Sequence, residues 1–387
     1  MATVNQDFQL VNDISKQMLG KNAIAVVDTT SLLDFGNVVI SSATNVDLFY
    51  KIACERIANV EIGLRVYKAA NRQLRRRNIE WGAFIEKLRI KTKEDFSENQ
   101  SLAVDSMQHS PYDVEKKTEL IAQIFGKNLS TFAIEDVLPG QTQLFTAFTS
   151  LSEFNKLIST IRIEIENKIE TVMEALDTEA IATLIAYTFK KGKTTQKINV
   201  VKRYNAEFGT ALTNESCRHD ANYLKYRVQL MKNTKAFMKK RSVLYNAIAD
   251  YASFVNDEDL IVEVLTEAAS DITTYMTSDT YHTEFVELPG YVEIPCWQGL
   301  GDDNSYASHS SVKIKHEDID ADEVDVKNVI AVMRSYDAAG TYFDKKRAWS
   351  HYNDVDDVTP FGIQFIKNYM LDPYESVVIF YDDADEA

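Results

Sequence analysis

The chain has 387 residues, 45% of them hydrophobic, enough to fill the cores of two ordinary domains. Its 42 Lys plus Arg against 58 Asp plus Glu give a net charge of −16, which argues against a dedicated nucleic-acid binder with a basic recognition face. No apolar run approaches the ~20 residues of a membrane helix, and MATVNQDFQL lacks the basic and apolar regions of a signal peptide, so a soluble cytoplasmic product is expected.

Residues 1–22 read as a short amphipathic helix (Phe8, Leu10, Val11, Ile14, Met18, Leu19) ending at Gly20-Lys21-Asn22. Residues 23–42, with Ile24, Val26 and Val27 and then Val38, Val39 and Ile40 after Gly36-Asn37, read as extended. Together they make an arm. From Asn45 to Ile57 the pattern is helical again, with Thr44 or Asn45 as the cap. Gly63 to Ile90 is strand-like, through Leu64, Val66 and Tyr67 and later Trp81, Phe84, Ile85, Leu88 and Ile90. Within it lies a basic run, Arg72-Gln73-Leu74-Arg75-Arg76-Arg77, read as a solvated face or an inter-subunit ion-pair site rather than a phosphate contact. Residues 91–118 are polar and weakly patterned, so 78–125 is expected to be a long hairpin that needs another surface to lie on.

The segment 121–148, with a turn at Pro139-Gly140, leads into the strongest signal in the chain. From Leu151 to Lys191 apolar residues recur at steps of three and four: Phe154, Ile158, Ile161, Ile165, Ile169, Val172, Leu176, Ala180/Ile181 and Leu184/Ile185. Ser150 and Glu153 form a capping box, Gly192 supplies a stop, and Asp177-Thr178 is the expected place for a bend. The charged residues Lys156, Arg162, Glu164, Glu166, Lys168, Glu170 and Glu174 are assigned to the solvent face. The apolar stripe is expected to lie on a sheet containing Val377, Ile379 and Tyr381.

Beyond Gly192 come a strand at 198–201, a helix over 214–240, a strand at 259–265 and a short helix through Ile272 and Met276. Two strand pieces, 285–288 and 291–294, flank Pro289-Gly290. A polar, acidic stretch covers 302–327, and buried strands fall at 329–333 and 376–381. Without βαβ periodicity or internal repeats, the expected class is α+β. The two ends, Met1 and the acidic 382–387 tail, are expected to be tied down, with neighbouring chains as the holders.

The chemistry-bearing motifs are incomplete. Gly192-Lys193-Thr194 ends like a phosphate loop, but Tyr187 stands where its first glycine belongs. Asp318-x-Asp320-x-Asp322 begins like a calcium loop, but Glu323 replaces the glycine and Val329 the bidentate glutamate. The six histidines (His109, His219, His282, His309, His316, His351) and three cysteines (Cys54, Cys217, Cys296) show no ligand spacing, and the thiols read as reduced and packed. No cofactor, metal or catalytic residue is assigned.

Three stretches carry a resemblance: Leu19-Gly20-Lys21-Asn22 with Asp34-Phe35-Gly36-Asn37-Val38-Val39-Ile40-Ser41; Met238-Lys239-Lys240-Arg241-Ser242-Val243-Leu244-Tyr245-Asn246; and 329–340, VIAVMRSYDAAG, closing with Val377-Val378-Ile379-Phe380-Tyr381. The chain resembles the major capsid proteins of tailed bacteriophages, with the Hong Kong 97-type fold. The resemblance implies an N-terminal arm at 1–44, a peripheral-domain entry at 45–77 and an extended loop at 78–125. It further implies a peripheral domain with a spine helix at 126–199, an axial domain at 200–355 and a C-terminal return at 356–387. It implies self-assembly as pentamers and hexamers in the host bacterial cytoplasm, around a separate scaffolding protein, into a virion shell enclosing double-stranded DNA, with portal and decoration proteins as further partners. Candidate inter-subunit contacts are Arg72, Arg75, Arg76, Arg77, Trp81, Phe84, Phe96 and Tyr112. The alternatives are an encapsulin-type compartment shell or an enzyme with a spatially assembled site.

Overall fold

The computed structural model describes residues 6–26, 29–59, 71–76, 85–91, 119–125, 130–139, 151–249, 251–276, 290–298, 309–317, 319–320, 322–351, 353, 356 and 358–385. Their helices are α1 (Gln6–Leu19), α2 (Thr29–Ile40), α3 (Ala43–Asn59), α4 (Leu151–Lys191), α5 (Val200–Phe208), α6 (Ala221–Met238) and α7 (Thr266–Met276). Their strands are β1 (Ile85–Lys91), β2 (Glu119–Phe125), β3 (Ser130–Pro139), β4 (Lys197–Asn199), β5 (Leu260–Leu265) and β6 (Val292–Ile294). The series continues with β7 (Val312–Ile314), β8 (Val324–Val326), β9 (Val329–Ser335), β10 (Ala339–Ser350), β11 (Val358–Leu371) and β12 (Val377–Tyr381). The mixed architecture is the expected α+β class.

A five-stranded sheet, ordered β4-β12-β9-β5-β6, holds the larger core. Every residue of β9 and β12 is buried, which is why 329–333 and β12 read as unbroken apolar runs without alternation; β9 continues into buried Arg334 and Ser335. A second sheet, β10-β11-β3, is antiparallel throughout. The two sheets follow one another along the chain: a short turn at Tyr336–Ala338 joins β9 to β10, and another joins β11 to β12. At this crossing the Asp372 N–H donates to the Ala338 carbonyl.

Helix α4 has the bounds that its periodicity predicts, and it spans both sheets. Its C-terminal half buries Ile181, Leu184 and Ile185 in the larger core, where Phe189 meets Tyr381 edge-on at 5.5 Å. Its N-terminal half places Ile165 and Ile169 instead against Phe361, Ile363 and Phe365 of β11, so the stripe rests on two sheets and not one. The helix continues without a break through Asp177-Thr178, where Asp177 is buried and bonded to other elements. Gly192 ends it by close approach: an added Cβ would sit 2.3 Å from the Thr188 carbonyl oxygen. Ile165→Ala is expected to cost about 2–5 kcal/mol, read as a lowered denaturation midpoint of the subunit.

Several local expectations are corrected. Residues 29–40 are helical, not extended: Leu32, Phe35 and Val39 are buried together with Phe49, and this packing outweighs the β-preference of Val38-Val39-Ile40. The preceding Ala23–Val26 stretch is extended, and α1 holds it through Asn12 and Ser15, which bond the backbone of Val26 and Ile24. Helix α3 is capped by Ser42, whose hydroxyl accepts from the Asn45 N–H; Asn45 itself donates to the Val38 carbonyl. The strand expected at 198–201 stops at Asn199, whose side chain caps α5. The helix expected from 214 begins at Ala221 behind an Asp220 cap. The polar 302–327 stretch contains β7 and β8, anchored by buried Val312, Val324 and Val326.

The acidic tail is held by its own chain as far as it is described. The Asp382 N–H donates to the Asn328 carbonyl, Asn199 donates to the Asp383 carbonyl, and the Ala384 N–H donates to Asn214. Ser150, Gly140, Pro289 and the strand pieces at 64–67 and 285–288 lie outside the described residues.

Candidate functional site

Two arginines of the basic run, Arg75 and Arg76, reach inward. Arg75 Nη1 donates to both Glu170 oxygens of α4, at 3.0 and 2.9 Å, and its Nε donates to Asp177 Oδ2 at 2.7 Å. Asp177 Oδ1 accepts from the Thr341 hydroxyl of β10 at 2.6 Å. Glu170 and Asp177 lie seven residues apart, so they share one helix face, two turns from each other. Burial alone would lower Arg75, but Asp177 and Glu170 outweigh it and hold the guanidinium above its ordinary value. Burial pushes the Asp177 carboxyl up to about 6 against the pull of Arg75 and Thr341. Glu170 is therefore not on a solvated face; it is one of the least exposed residues of α4.

Arg76 donates to the carbonyls of Tyr336 and Ala339, lies over the Tyr336 ring and pairs with Asp337 at 3.6 Å. Burial lowers it to about 10. Gln73 Nε2 donates to Glu263, which Arg334 also holds. The segment 71–76 thus ties α4, both sheets and the β9–β10 turn together within one subunit. Arg72 is described in its backbone only, and Arg77, Trp81, Phe84, Phe96 and Tyr112 lie outside the described residues.

Strands β1 and β2 form the root of the expected hairpin, paired from Ile85↔Phe125 to Lys91↔Glu119. Alternation gives this ribbon two faces. One carries Lys87, Arg89, Ile121 and Gln123 and is turned to the body: Arg89 donates to Asp372 at 2.6 Å, Glu375 at 2.5 Å and the Tyr251 hydroxyl at 3.2 Å. The other carries Leu88, Ile90, Leu120 and Ile124, which are 70, 63, 66 and 65% exposed. The register sets Ile90 opposite Leu120 and Leu88 opposite Ala122, with Ile124 next after Ala122 on the same side of β2, so these residues make one apolar surface.

The incomplete motifs have structural explanations. Lys193 donates to the Ile248 carbonyl, Asn246 and the Val243 carbonyl, while Gln196 donates to the Tyr245 and Val377 carbonyls, so this segment clamps the 243–248 loop. Asp320 pairs with Lys190 in the last turn of α4. Cys217 and Cys296 are free thiols, and burial beside Asp382 pushes Cys217 up to about 12. Among the described residues no cluster of His, Cys, Asp or Glu is arranged to hold a metal, and no helix is long and apolar enough to cross a membrane.

The architecture has counterparts among solved structures. A chain in the capsid structure of Staphylococcus phage Andhra matches with a TM-score of 0.52 at 12% identity, covering 84% of this chain and 87% of that one. A chain in the structure of head fiber and inner core protein gp22 of native bacteriophage P68 matches with a TM-score of 0.51 at 13% identity, covering 84% and 88%. At such identities the likeness speaks for the fold alone. No curated protein matches the sequence. The sequence itself matches the Phi29-like phage major capsid protein family over residues 11–381, a span that takes in the helical N-terminus, the two-faced hairpin, the long helix and the last strand. A structural subunit of a phage capsid is what these elements compose, and the chain belongs to the Phi29-like phage major capsid protein family.

Proposed function

We propose that this subunit closes into a shell of pentamers and hexamers by laying the apolar face of its hairpin on a second copy of the chain. The observation that carries the reading is the exposure of Leu88, Ile90, Leu120 and Ile124 on one side of a two-stranded ribbon. A lone hairpin is marginally stable in water, and a contiguous aliphatic face of this kind marks an interaction surface. The remainder of the assignment rests on family membership: a Hong Kong 97-type subunit without catalytic function, divided at the boundaries given above. It assembles in the host cytoplasm with scaffolding and portal proteins, and encloses double-stranded DNA in the virion.

Leu88→Ser with Ile90→Ser tests the docking. Each buried aliphatic side chain contributes ~1.5–3 kcal/mol, so the pair should raise the subunit concentration needed for assembly by at least about a hundredfold. The monomer should remain folded, because neither side chain joins a core of its own chain. Sedimentation and electron microscopy of the purified protein read the result, and shells forming at the wild-type concentration would overturn the proposal.

A further inference from the structure

The inner face of the hairpin is bound to the body by charge. Arg89 Nη2 reaches both Asp372 and Glu375, its Nη1 reaches Tyr251, and the rings of Tyr251 and Tyr374 flank the guanidinium at 5.9 and 5.8 Å. Those two rings meet edge-on at 5.0 Å. Lys87 Nζ donates to Asp372 Oδ2 at 3.1 Å and to the Asp337 carbonyl at 3.1 Å. Gln123 of the opposite strand donates to Asp372 Oδ1 at 3.3 Å and accepts from Arg89 Nε at 3.2 Å. Asp372 is fully buried under these groups.

Both carboxylates that hold the ribbon, Asp372 and Glu375, belong to the β11–β12 turn, and Asp337 belongs to the β9–β10 turn. These are the two places where one sheet gives way to the other. A cavity of about 260 Å³ adjoins the cluster, lined by Arg89, Tyr251, Phe254, Asp259, Asp337 and Glu375, so among the described residues the root is not wedged by tight packing on that side. Apolar burial is non-directional, whereas short charge-assisted hydrogen bonds fix an orientation.

We propose that the Lys87–Arg89–Asp372–Glu375 cluster is a latch that aims the hairpin, so that its apolar face is presented to the second copy at an angle set by the crossing of the two sheets. The inference deepens the docking reading above and rests on it. Lys87 and Arg89 are positioning residues: they sit on the face opposite the docking surface and act through the direction of the ribbon.

The test uses the full chain with Arg89→Met and, separately, Glu375→Gln, compared with Leu88→Ser/Ile90→Ser. Amide hydrogen exchange is followed in β1 and β2 and in the buried strands β9 and β12, and assembly is followed by light scattering and electron microscopy. Loss of the latch should speed exchange in β1 and β2 by at least about tenfold and leave β9 and β12 at wild-type rates. It should also yield few or misshapen shells. A merely structural role would instead lower the melting temperature of the body and speed exchange in β9 and β12 as well, which would overturn the proposal. So would hairpin exchange within about twofold of wild type in both variants, or normal shells from both. Should Arg89→Met fail to fold, Glu375→Gln, which keeps the side-chain shape, decides by the same readouts. The Leu88/Ile90 variant separates the two readings: wild-type hairpin exchange with no shells supports docking by itself, and normal shells from it sink docking whatever the latch variants do.

Discussion

Glu170→Lys should cripple the folded subunit, at a cost of about 3–5 kcal/mol or more. Glu170 is buried and accepts two bonds from one arm of Arg75. A lysine there sets an ammonium against that guanidinium and leaves Asp177 as the only carboxylate within the cluster. The new ammonium enters a position 1% exposed and Arg75 is only 13% exposed, so the loss includes much of the desolvation cost of an unpaired charge as well as the missing bond. Against a total stability of ~5–15 kcal/mol, this should appear as insoluble protein or a denaturation midpoint lowered by about a fifth or more. The control lies on the same helix: Glu164, 56% exposed and paired with Lys168 at 3.6 Å, should tolerate the same reversal within about 0.5 kcal/mol. Equal tolerance of the two changes in denaturant titrations would mean that the Arg75 cluster contributes nothing to the fold.

The sequence pattern misplaces Glu170 for an identifiable reason. Hydrophobic periodicity finds the buried stripe of α4 and assigns every charge to the other side. Glu170 and Asp177, though, each follow a stripe residue, Ile169 and Leu176, by one position, so they lie at the edge of the buried face. Their partner, Arg75, is 95 and 102 residues away. No local signal carries such a contact. The visible clue is the seven-residue spacing of two carboxylates beside the stripe, read together with a basic run that has no acidic neighbours of its own.

The hairpin shows the same limit from the other side. Period-two alternation correctly groups Leu88 with Ile90 and Lys87 with Arg89, but it does not say which group faces the body. Here the charged group does, because Asp372 and Glu375 are waiting for it. By contrast β12 and the 329–333 part of β9 are legible because strands buried on both faces need continuous apolar runs, while β5 is legible by the apolar residues on either side of Glu263. Strands β10 and β11 are not, since Asp344, Lys345 and Arg347 dilute the first, and Pro360 and Gly362 read as breakers in the second. Gly362 is there for Trp349, opposite it in register: an added Cβ would fall 2.4 Å from the indole.

The second large effect is expected at Arg334 and Glu263, where the arithmetic of buried pairs gives opposite answers for one change and for two. Arg334 Nε donates to both Glu263 oxygens at 3.1 Å and its Nη2 donates to Oε1 at 2.6 Å, with neither side chain exposed. Glu263→Leu alone strands a guanidinium between β5 and β9 and should cost about 3–5 kcal/mol; Arg334→Met alone strands a carboxylate and should cost a similar amount. The double variant strands no charge and fills the space with apolar atoms; the one bond it leaves open is that of the half-buried Gln73 amide. The variant should be near neutral, or even more stable by about 1–4 kcal/mol, because Arg334 Nη1 is buried without a hydrogen-bond partner among the described residues and that cost disappears. A double-mutant cycle in denaturant measures the coupling, and a double variant as unstable as the sum of the singles would refute the account. The same protein then reports on assembly. Gln73 reaches Glu263 at 2.9 Å, so removing the carboxylate takes away one polar tie between the 71–76 segment and the five-stranded sheet, leaving Leu74 in the core. A double variant that is stable as a subunit but poor at forming shells would show that the pair is kept for the placement of that segment and not for stability.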